Sequence, residues 1–489
     1  MRLVPSDSSC GGFVHLLTSR LTASQPVPVH LAVLHNHDSI RGQGLMNNKK
    51  NIGIGIAAAS CMIGLWAHPL SAADPTSPNA GSASLSERTY LMSDWGGARS
   101  WLAERGIILD VQATQFYQGV VDGSSDDNWK YGVKGDYFLT VIGEKAGLWK
   151  GLLINLHAET RAGDDVNALS GLSPANSNML MPNSDDTTAL TQVMVTQMVG
   201  PQLGLFAAKI NTFDFFDSVY HTGRGIDGFM NISLMSPLGL ARPLNVTIPA
   251  AGAFKFKGKE IQGAAVVYDP NNCSATSCLD PLFGDGAGVA ALWKFYTGIS
   301  QDSARAGYIS VGGAWSGKEY AVVEPSSLYI NPGEGLSLRE RQEAWSIFSV
   351  VDQPLWADPL NQNRSLNFKG MYTISDGEAN PIKWSATAAL ELNGSIAGRD
   401  KDVIGVGYFH NELSSGFKNT VGPLLSVAAT LVDGTPTRIT IEDTDGFEAY
   451  YKAHVTPWLS VTGDLQLITE TLSADDTKVV TGVRGKVTF

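Results

Sequence analysis

The sequence has few cysteines, modest charge and no series of long apolar runs. Four cysteines in 489 residues exclude a disulfide-dense scaffold. Mean hydropathy of −0.02 excludes a polytopic helical membrane protein, because that class needs several stretches of about 20 apolar residues. Hydrophobic residues make up an ordinary 43% of the chain, so a disordered or collagen-like polymer is also excluded.

The short motifs that carry enzyme chemistry are also missing. The chain contains no H-E-x-x-H, G-x-S-x-G or P-loop sequence. Residues 223–228 match G-x-G-x-x-G, but no strand–turn–helix context surrounds them, so we predict a glycine turn in a long loop. The histidines of the exported chain lie far apart in sequence and suggest no metal site. We therefore expect neither an enzyme nor a bound cofactor or metal.

Residues 46–73 have the order of parts of a Sec signal peptide. A short basic segment (46–50) precedes an apolar run (52–66) and small residues that end at Ala73. We expect cleavage after Ala73, with Ala72 as the second choice, and hence export through a Gram-negative inner membrane. Residues 1–45 precede this signal and are interpreted as a non-native upstream extension, although a genuine extension is the alternative.

The exported chain is acidic and keeps two cysteines. Aspartate and glutamate outnumber lysine and arginine by 47 to 35 in the full sequence, and the acidic excess is kept after residue 73, which argues against a nucleic acid or an anionic lipid surface as partner. Cys273 and Cys278 lie five residues apart. Because an exported protein meets an oxidising periplasm, we expect these two cysteines to form a disulfide.

A short helix is predicted ahead of a long series of strands. Asp94 is placed as its N-cap and Gly106 as the residue that ends it. After Gly106, segments of about ten residues alternate between apolar and polar residues, which is the period of a strand. The predicted strands are 107–121, 137–143, 151–163, 191–199, 204–211, 260–268, 288–296, 306–315, 345–351, 366–374, 383–392, 403–411, 447–455, 459–467 and 478–489.

The last predicted strand shows the two faces most clearly. Val483 and Phe489 belong to an apolar face, whereas Arg484 and Lys486 belong to a basic and polar one. The core of a soluble sheet protein would not tolerate the polar face, but a water-filled lumen would. The polar residues therefore favour a barrel with lipid outside and water inside.

Strand length also separates a membrane barrel from a soluble sandwich. Soluble strands are usually about 5–6 residues long, whereas crossing a bilayer takes about 9–11 residues in a tilted strand. Strands in lipid must close into a barrel, because unpaired edge groups would be too costly there. We predict an all-β fold, a transmembrane antiparallel β-barrel of about 16 strands over 107–489. Residues 74–106 would form a periplasmic segment that carries the short helix.

Several stretches occur in an order that is typical of one family. They are Asp94-Trp95-Gly96-Gly97-Ala98-Arg99 with Gly106 and Ile107; the strand end 158–163; 204–209 with the aromatic and acidic 213–217; and 454–459 with the terminal Phe489. In this order behind a signal peptide, the chain resembles the carbohydrate-selective porins of Gram-negative outer membranes (OprB type). The resemblance covers nearly the whole exported chain.

The resemblance implies a 16-stranded barrel that passes glucose and related sugars by passive diffusion. The family's constriction is lined by arginines, carboxylates and aromatic residues, and its early arginine falls on Arg161. A second basic position, usually arginine, falls on Lys209. Lysine cannot make the forked contacts of a guanidinium, so the sugar preference need not be the family's. Glu159 is chosen as the early carboxylate because it lies on the same strand face as Arg161.

Strand parity adds further candidates for the inner wall. Asn155 and His157 share the face of Glu159 and Arg161, and the next clear strand is predicted to turn Lys209 and Asn211 inward and Phe206 outward. Aromatic residues at Trp129, Phe213, Phe215 and Phe216 are possible stacking surfaces for a sugar ring. The predicted constriction comprises Asn155, His157, Glu159, Arg161, Lys209, Asn211, Phe213 and Asp214. Two alternatives stay open: a salt bridge that only holds a loop, and a folded-in loop packed on the wall.

The expected partners follow from this interpretation. They are small sugars, outer-membrane lipid and the barrel assembly machinery, which would recognise Phe489, whereas nucleic acid is not expected. A monomer and a homotrimer are both compatible with the sequence. Two other functions are weighed: a general or anion-biased porin of the same architecture, and an outer-membrane hydrolase that uses the barrel as a scaffold.

Overall fold

Long two-faced strands dominate the structure, a computed structural model. It describes residues 84–123, 129–170, 173–182, 186–279, 282–298, 306–331, 335–469, 471–472 and 476–489. The predicted extension (1–45), the signal peptide (46–73) and its cleavage site lie outside the described residues.

Sixteen antiparallel strands form one closed barrel, in which each strand pairs with its neighbour along the chain and the last strand pairs with the first. Two more strands, β10 and β11, form a two-stranded sheet of their own. The strands are β1 (Ile107–Asp122), β2 (Lys130–Ile142), β3 (Leu152–Gly163), β4 (Thr187–Met198), β5 (Leu203–Asn211), β6 (Thr247–Lys257), β7 (Glu260–Tyr268), β8 (Gly288–Tyr296), β9 (Tyr308–Ala321), β10 (Leu328–Asn331), β11 (Gly335–Leu338), β12 (Glu340–Asp358), β13 (Asn361–Ser375), β14 (Ile382–Asn393), β15 (Val403–Leu413), β16 (Thr444–Thr456), β17 (Leu459–Ile468) and β18 (Lys478–Thr488). The predicted closed barrel of about 16 strands is confirmed.

Closure leaves the barrel without an edge. β1 pairs with β2 on one side and with β18 on the other, where Tyr117 lies opposite Val483. The barrel strands run from 9 residues in β5 to 19 in β12. This length suits a bilayer crossing, and closure satisfies the backbone groups that lipid could not.

The strands turn apolar side chains outward and cover their inner side chains with protein. In β18, Val483 is 50% exposed whereas its neighbour Arg484 is 1% exposed. The same alternation along β3 buries Asn155, His157 and Glu159. The predicted faces of these two strands are therefore found in the structure.

The predicted orientations of Phe206 and Lys209 in β5 are wrong. Leu205 is 48% exposed and faces outward with Lys209, whereas Phe206 and Ile210 are buried in an apolar cluster inside the barrel. The error has a physical cause, since this part of the inner wall packs against an apolar helix instead of water. For the same reason β6, whose Phe254 joins that cluster, was not predicted as a strand.

Four α-helices lie outside the strands in the described part of the chain. They are α1 (Ala98–Glu104), α2 (Thr212–Tyr220), α3 (Ile232–Met235) and α4 (Ser415–Asp433). No helix among the described residues combines the length and the hydrophobicity needed to cross a membrane. α1 lies in the predicted helical segment, where Asp94 accepts hydrogen bonds from the amide and hydroxyl of Ser100. Gly106, at φ +72°, follows it in the left-handed conformation that glycine adopts easily.

The segment around α1 is tied to the seam between β1 and β18. The Arg99 guanidinium stacks on the rings of Tyr90 and Trp95, with its central carbon 3.7 and 4.6 Å from their centroids. It donates hydrogen bonds to the carbonyl oxygen of Leu109 in β1 (2.9 Å) and to an oxygen of Phe489. One side chain therefore joins the first and last strands of the barrel.

Candidate pore constriction

The connection between β5 and β6, residues 212–246, lies against the inner wall of the barrel. It begins with α2, whose first turn is capped by Asn211, since the side-chain oxygen accepts a hydrogen bond from the Phe213 amide at 3.0 Å. α2 then buries apolar side chains against β5, β6, β9 and β12, in a cluster that includes Phe206, Phe216, Val219, Tyr220, Phe254, Tyr308 and Phe348. The lumen is therefore narrowed by protein on this side.

A cluster of six charged side chains fixes the connection to β2 and β3. Arg224 lies at its centre and approaches Asp136 at 3.0 Å, Glu159 at 3.2 Å and Asp214 at 2.7 Å. The last contact is an ion pair whose angle falls outside hydrogen-bond geometry. Lys134 lies 2.8 Å from Glu159 and completes the set with His157. All six side chains are buried, so the cluster is shielded from water.

His157 bridges two of these carboxylates. Its Nδ1 lies 2.7 Å from Asp214 and its Nε2 lies 3.1 Å from Asp136, while its ring stacks on Phe138. A carboxylate can only accept a hydrogen bond, so both contacts are satisfied when both ring nitrogens carry protons. The imidazolium, Lys134 and Arg224 then balance the three carboxylates, which is the condition for burying so many charges together.

Two members of the cluster lie in the connection, outside the strands, and each stays charged. Burial opposes ionisation of Asp214, but the charges of Arg224 and His157 outweigh it and hold the pKa of Asp214 below its usual value. Burial likewise disfavours the Arg224 cation, but the charges of Asp214, Asp136 and Glu159 outweigh burial and raise the pKa of Arg224 above its usual value. The contact is therefore a permanent ion pair at neutral pH.

Three residues of this cluster together have the composition of a metal site. Asp136, His157 and Glu159 each offer a ligand atom within 4.8 Å of the others. Lys134 and Arg224, however, already contact these carboxylates, and a metal ion would have to replace or repel both cations. The charge of the site therefore favours an ion-pair network over metal binding.

A second set of contacts fixes the connection to β16 and β18. Arg484 donates hydrogen bonds to the carbonyl oxygens of Gly225 (2.6 Å) and Gly228 (3.0 Å). Asp227 forms ion pairs with Lys486 at 2.5 Å and Lys452 at 3.5 Å. The turn at 223–228 therefore contacts two different parts of the wall within a few residues. It is the glycine turn that the sequence predicts.

A third set continues around the wall. The Lys369 ammonium on β13 donates to the carbonyl oxygen of His221 at 2.8 Å and pairs with Glu391 on β14 at 2.8 Å. On β16, the carboxylate of Glu448 accepts the amides of Met230 (2.6 Å) and Asn231 (2.9 Å). The connection is therefore attached to the wall on several sides and is not a free flap.

The structure gathers some of the predicted constriction residues and separates others. His157, Glu159 and Asp214 belong to the charge cluster, and Asn211 joins it by donating to Glu159 at 2.9 Å. Asn155 lies further along β3 and donates to Thr140 at 3.1 Å. Phe213 is buried in an apolar cluster with Met181, Ile232 and Met235, so it is packed against protein and is not an open stacking surface.

The two basic residues assigned from the resemblance lie apart from the cluster. Arg161 is half-buried at the end of β3 and pairs with Asp165 at 2.8 Å. Lys209 does not face the lumen, which corrects its predicted position. Its ammonium donates to the carbonyl oxygens of Ser274 and Thr276, at 3.5 and 2.6 Å, in the short loop that the Cys273–Cys278 disulfide closes.

Sequence reasoning missed several residues that hold the connection. Lys134 and Asp136 alternate on β2 and could have been found by extending its polar face, because the predicted strand began too late at residue 137. Arg224 gave no such signal. It lies in a turn between glycines, and its partners are 10 to 88 residues away in sequence.

A closed antiparallel barrel of 16 strands, with a long connection folded into a charged lumen, defines a porin. The family model described as "Carbohydrate-selective porin, OprB family" matches residues 143–489. This match covers well over half of the chain, and the protein belongs to the OprB family of carbohydrate-selective porins. The resemblance inferred from the sequence is confirmed. A search of curated proteins finds no match.

One solved structure shows the same fold, and two others are similar to a lesser degree. The chain is similar to the high-pH structure of Pseudomonas putida OprB, with 19% identity and a TM-score of 0.68, over 83% of this chain and 100% of that one. The low-pH structure of the same protein matches with 16% identity and a TM-score of 0.49, over 83% and 99% of the two chains. The Salmonella typhi OmpF complex with daunomycin matches with 9% identity and a TM-score of 0.46, over 79% and 98%.

Proposed function

We propose that this outer-membrane porin passes glucose and related small sugars by passive diffusion through a lumen that residues 212–246 constrict. The observation that carries the proposal is the attachment of one turn to two parts of the wall. Arg224 is held at β2 and β3, and Asp227 is held at β16 and β18. A connection fixed in this way narrows the lumen permanently and favours small solutes.

The chemistry of the lumen suits a neutral, hydroxylated solute. A sugar needs hydrogen-bond donors, acceptors and an apolar surface, each weak enough to release it. Ionic groups in the lumen are paired within the wall, as in Lys369–Glu391, or between the wall and the connection, as in Lys486–Asp227. Paired charges offer donors and acceptors to hydroxyl groups without a strong preference for ions of one sign.

Arg161 is proposed as a residue of the entrance to this constriction. It lies on the long-connection end of β3, where its side chain keeps partial exposure. In barrels of this kind, long connections face outside and short turns face the periplasm, so Arg161 would meet a solute before the charge cluster. Its proposed role in sugar binding rests on the position of the family's early arginine and is tested by the Arg161→Ala variant.

Biogenesis is proposed to follow the usual route of such proteins. The signal peptide at 46–73 would direct export, and the remaining chain would consist of a periplasmic segment (74–106) and the barrel (107–489). Phe489 would be recognised by the barrel assembly machinery, and outer-membrane lipid would contact the apolar outer face. Monomer and homotrimer both remain compatible with this proposal.

Single-channel recording in a planar bilayer tests the proposed function. We expect a small conductance that falls as glucose is added, and matching uptake of glucose by proteoliposomes in a swelling assay. A large conductance that ignores glucose would identify a general porin, and a pronounced preference for anions would identify an anion-biased one. Release of fatty acid from lipid, lost on replacement of one serine, would instead identify a hydrolase.

A further inference from the structure

We infer that sugars pass along the β12–β14 side of the constriction, and that Lys369, Thr387 and Thr222 are the polar groups they contact there. This inference rests on the proposed function and gives its site a position in the lumen. It differs from the position that the sequence predicts, which is the polar face of β3.

The β2–β3 side of the lumen is closed to solutes. Lys134, Asp136, His157 and Glu159 are each at most 1% exposed, because the turn around Arg224 lies directly on them. Further along the same two strands, Asn155 donates a hydrogen bond to Thr140, and both residues are also buried. A sugar could reach these groups only after the ion pairs of the cluster had separated.

A recess remains on the other side of the same connection. Part of it is formed by the connection, through Tyr220, Thr222, Phe229 and Leu234. The facing part is formed by β12, β13 and β14, with Lys369, Met371 and Thr387 half-buried at its surface. The recess therefore lies between the constricting segment and the wall.

The lining of this recess has the groups that a sugar needs. The Lys369 ammonium can donate to a hydroxyl group, and the buried Thr222 hydroxyl has no hydrogen-bond partner among the described residues. The Thr387 hydroxyl accepts from the Met371 amide at 3.0 Å and still carries its own proton as a donor. Met371, which is half-buried, adds an apolar surface beside these groups. Hydrogen-bond donors beside an apolar surface match the hydroxyl groups and the apolar face of a pyranose.

Substituted cysteines distinguish the two sides of the lumen. Thr387→Cys places a thiol in the recess, and Thr140→Cys places one on the closed side; both positions are threonines on inward faces of barrel strands. The two cysteines of the exported chain are joined in a disulfide and do not compete for the reagent. A small charged methanethiosulfonate is added to the open channel, and the loss of conductance gives the labelling rate.

We expect Thr387→Cys to react at least about tenfold faster than Thr140→Cys, because only exposed thiols react readily. Glucose should protect Thr387→Cys and leave any slow reaction of Thr140→Cys unchanged. Faster labelling at Thr140→Cys, or a rate at Thr387→Cys that glucose does not change, would overturn the inference. If Thr387→Cys fails to form a heat-modifiable barrel, Met371→Cys provides the same comparison, because Met371 also lines the recess and is half-buried.

A failure of this inference can be distinguished from a failure of the proposed function. Glucose block of the unsubstituted channel tests whether the protein is a sugar porin, whereas the two labelling rates test where the sugar passes. A channel that glucose blocks, but that is labelled at Thr140→Cys, would keep the function and move the path to the β3 side.

Discussion

Arg224 and Asp227 lie three residues apart in one turn, yet they pair with different parts of the barrel wall. Arg224 contacts carboxylates of β2 and β3, and Asp227 contacts lysines of β16 and β18. The two residues carry opposite charges, and their partners lie on different strands of the wall. Only one orientation of the turn therefore allows both to form their ion pairs. This pair therefore determines how the connection crosses the lumen.

Replacing Arg224 should release one end of that crossing. Arg224→Ala leaves three buried carboxylates with two cationic partners, and breaking a buried ion pair in this way typically costs about 3–5 kcal/mol. We expect a higher and noisier conductance and a weaker glucose block, both measured in planar bilayers. Arg364→Ala is the matched control, since it removes a partly exposed pair with Asp358 and one hydrogen bond to the Gly394 carbonyl oxygen, and leaves the charge cluster intact. Equal conductance in the two variants would contradict the proposed attachment.

The attachment should withstand mild acid. The pKa of Asp214 is held below its usual value, so the ion pair stabilises the folded connection above the ordinary aspartate pKa of about 3.9 and is lost only as the pH falls through the lower folded value. We expect single-channel conductance to stay constant from pH 7 to about pH 4. Asp214→Asn removes the titrating carboxylate and should already show the altered conductance at pH 7. A wild-type transition near neutral pH would show that another group controls the attachment.

Replacing Arg161 tests the role assigned from the resemblance. Arg161 is partly exposed and pairs with Asp165 four residues along the chain, so Arg161→Ala should cost the barrel little stability. If Arg161 contacts sugar at the entrance, glucose should block the variant several-fold more weakly. The block constant from glucose titration decides the question, and an unchanged constant would remove Arg161 from the site.

Arg99 should stabilise the closed seam of the barrel. Arg99→Ala removes the contacts to Leu109 and Phe489 together with the stacking on Tyr90 and Trp95. We expect heat-modifiability gels to show unfolding at a temperature several degrees lower. Arg105→Ala is the control on the same segment, since Arg105 contacts only Trp101 among its described partners. The proposed role fails if both variants unfold at the wild-type temperature.

The sequence was enough to predict the barrel because most of its strands show their two faces directly. In β18, Val483 and Arg484 differ so strongly that the alternation predicts both the strand and its orientation. The same reasoning failed for β5, because Phe206 and Ile210 face a helix that fills this part of the lumen. Parity alone cannot distinguish lipid from an apolar segment inside the barrel.

The charge cluster was only half visible in the sequence. His157 and Glu159 follow from the polar face of β3, but their partner Arg224 lies more than 60 residues away in a turn without periodicity. The position of such a residue depends on where a long connection crosses the lumen. That crossing also depends on the contacts of Arg484, Lys486 and Glu448 with the connection, which no local pattern contains.

The turn at 223–228 separates two tasks within one short segment. Arg224 and Asp227 hold its position through the wall, whereas Thr222 and Phe229, just outside them, line the recess. Substitutions at these flanking positions can change which solutes are admitted, while the barrel and the connection that crosses its lumen keep their shape. The range of transported solutes can therefore change in such a porin without any change in its fold.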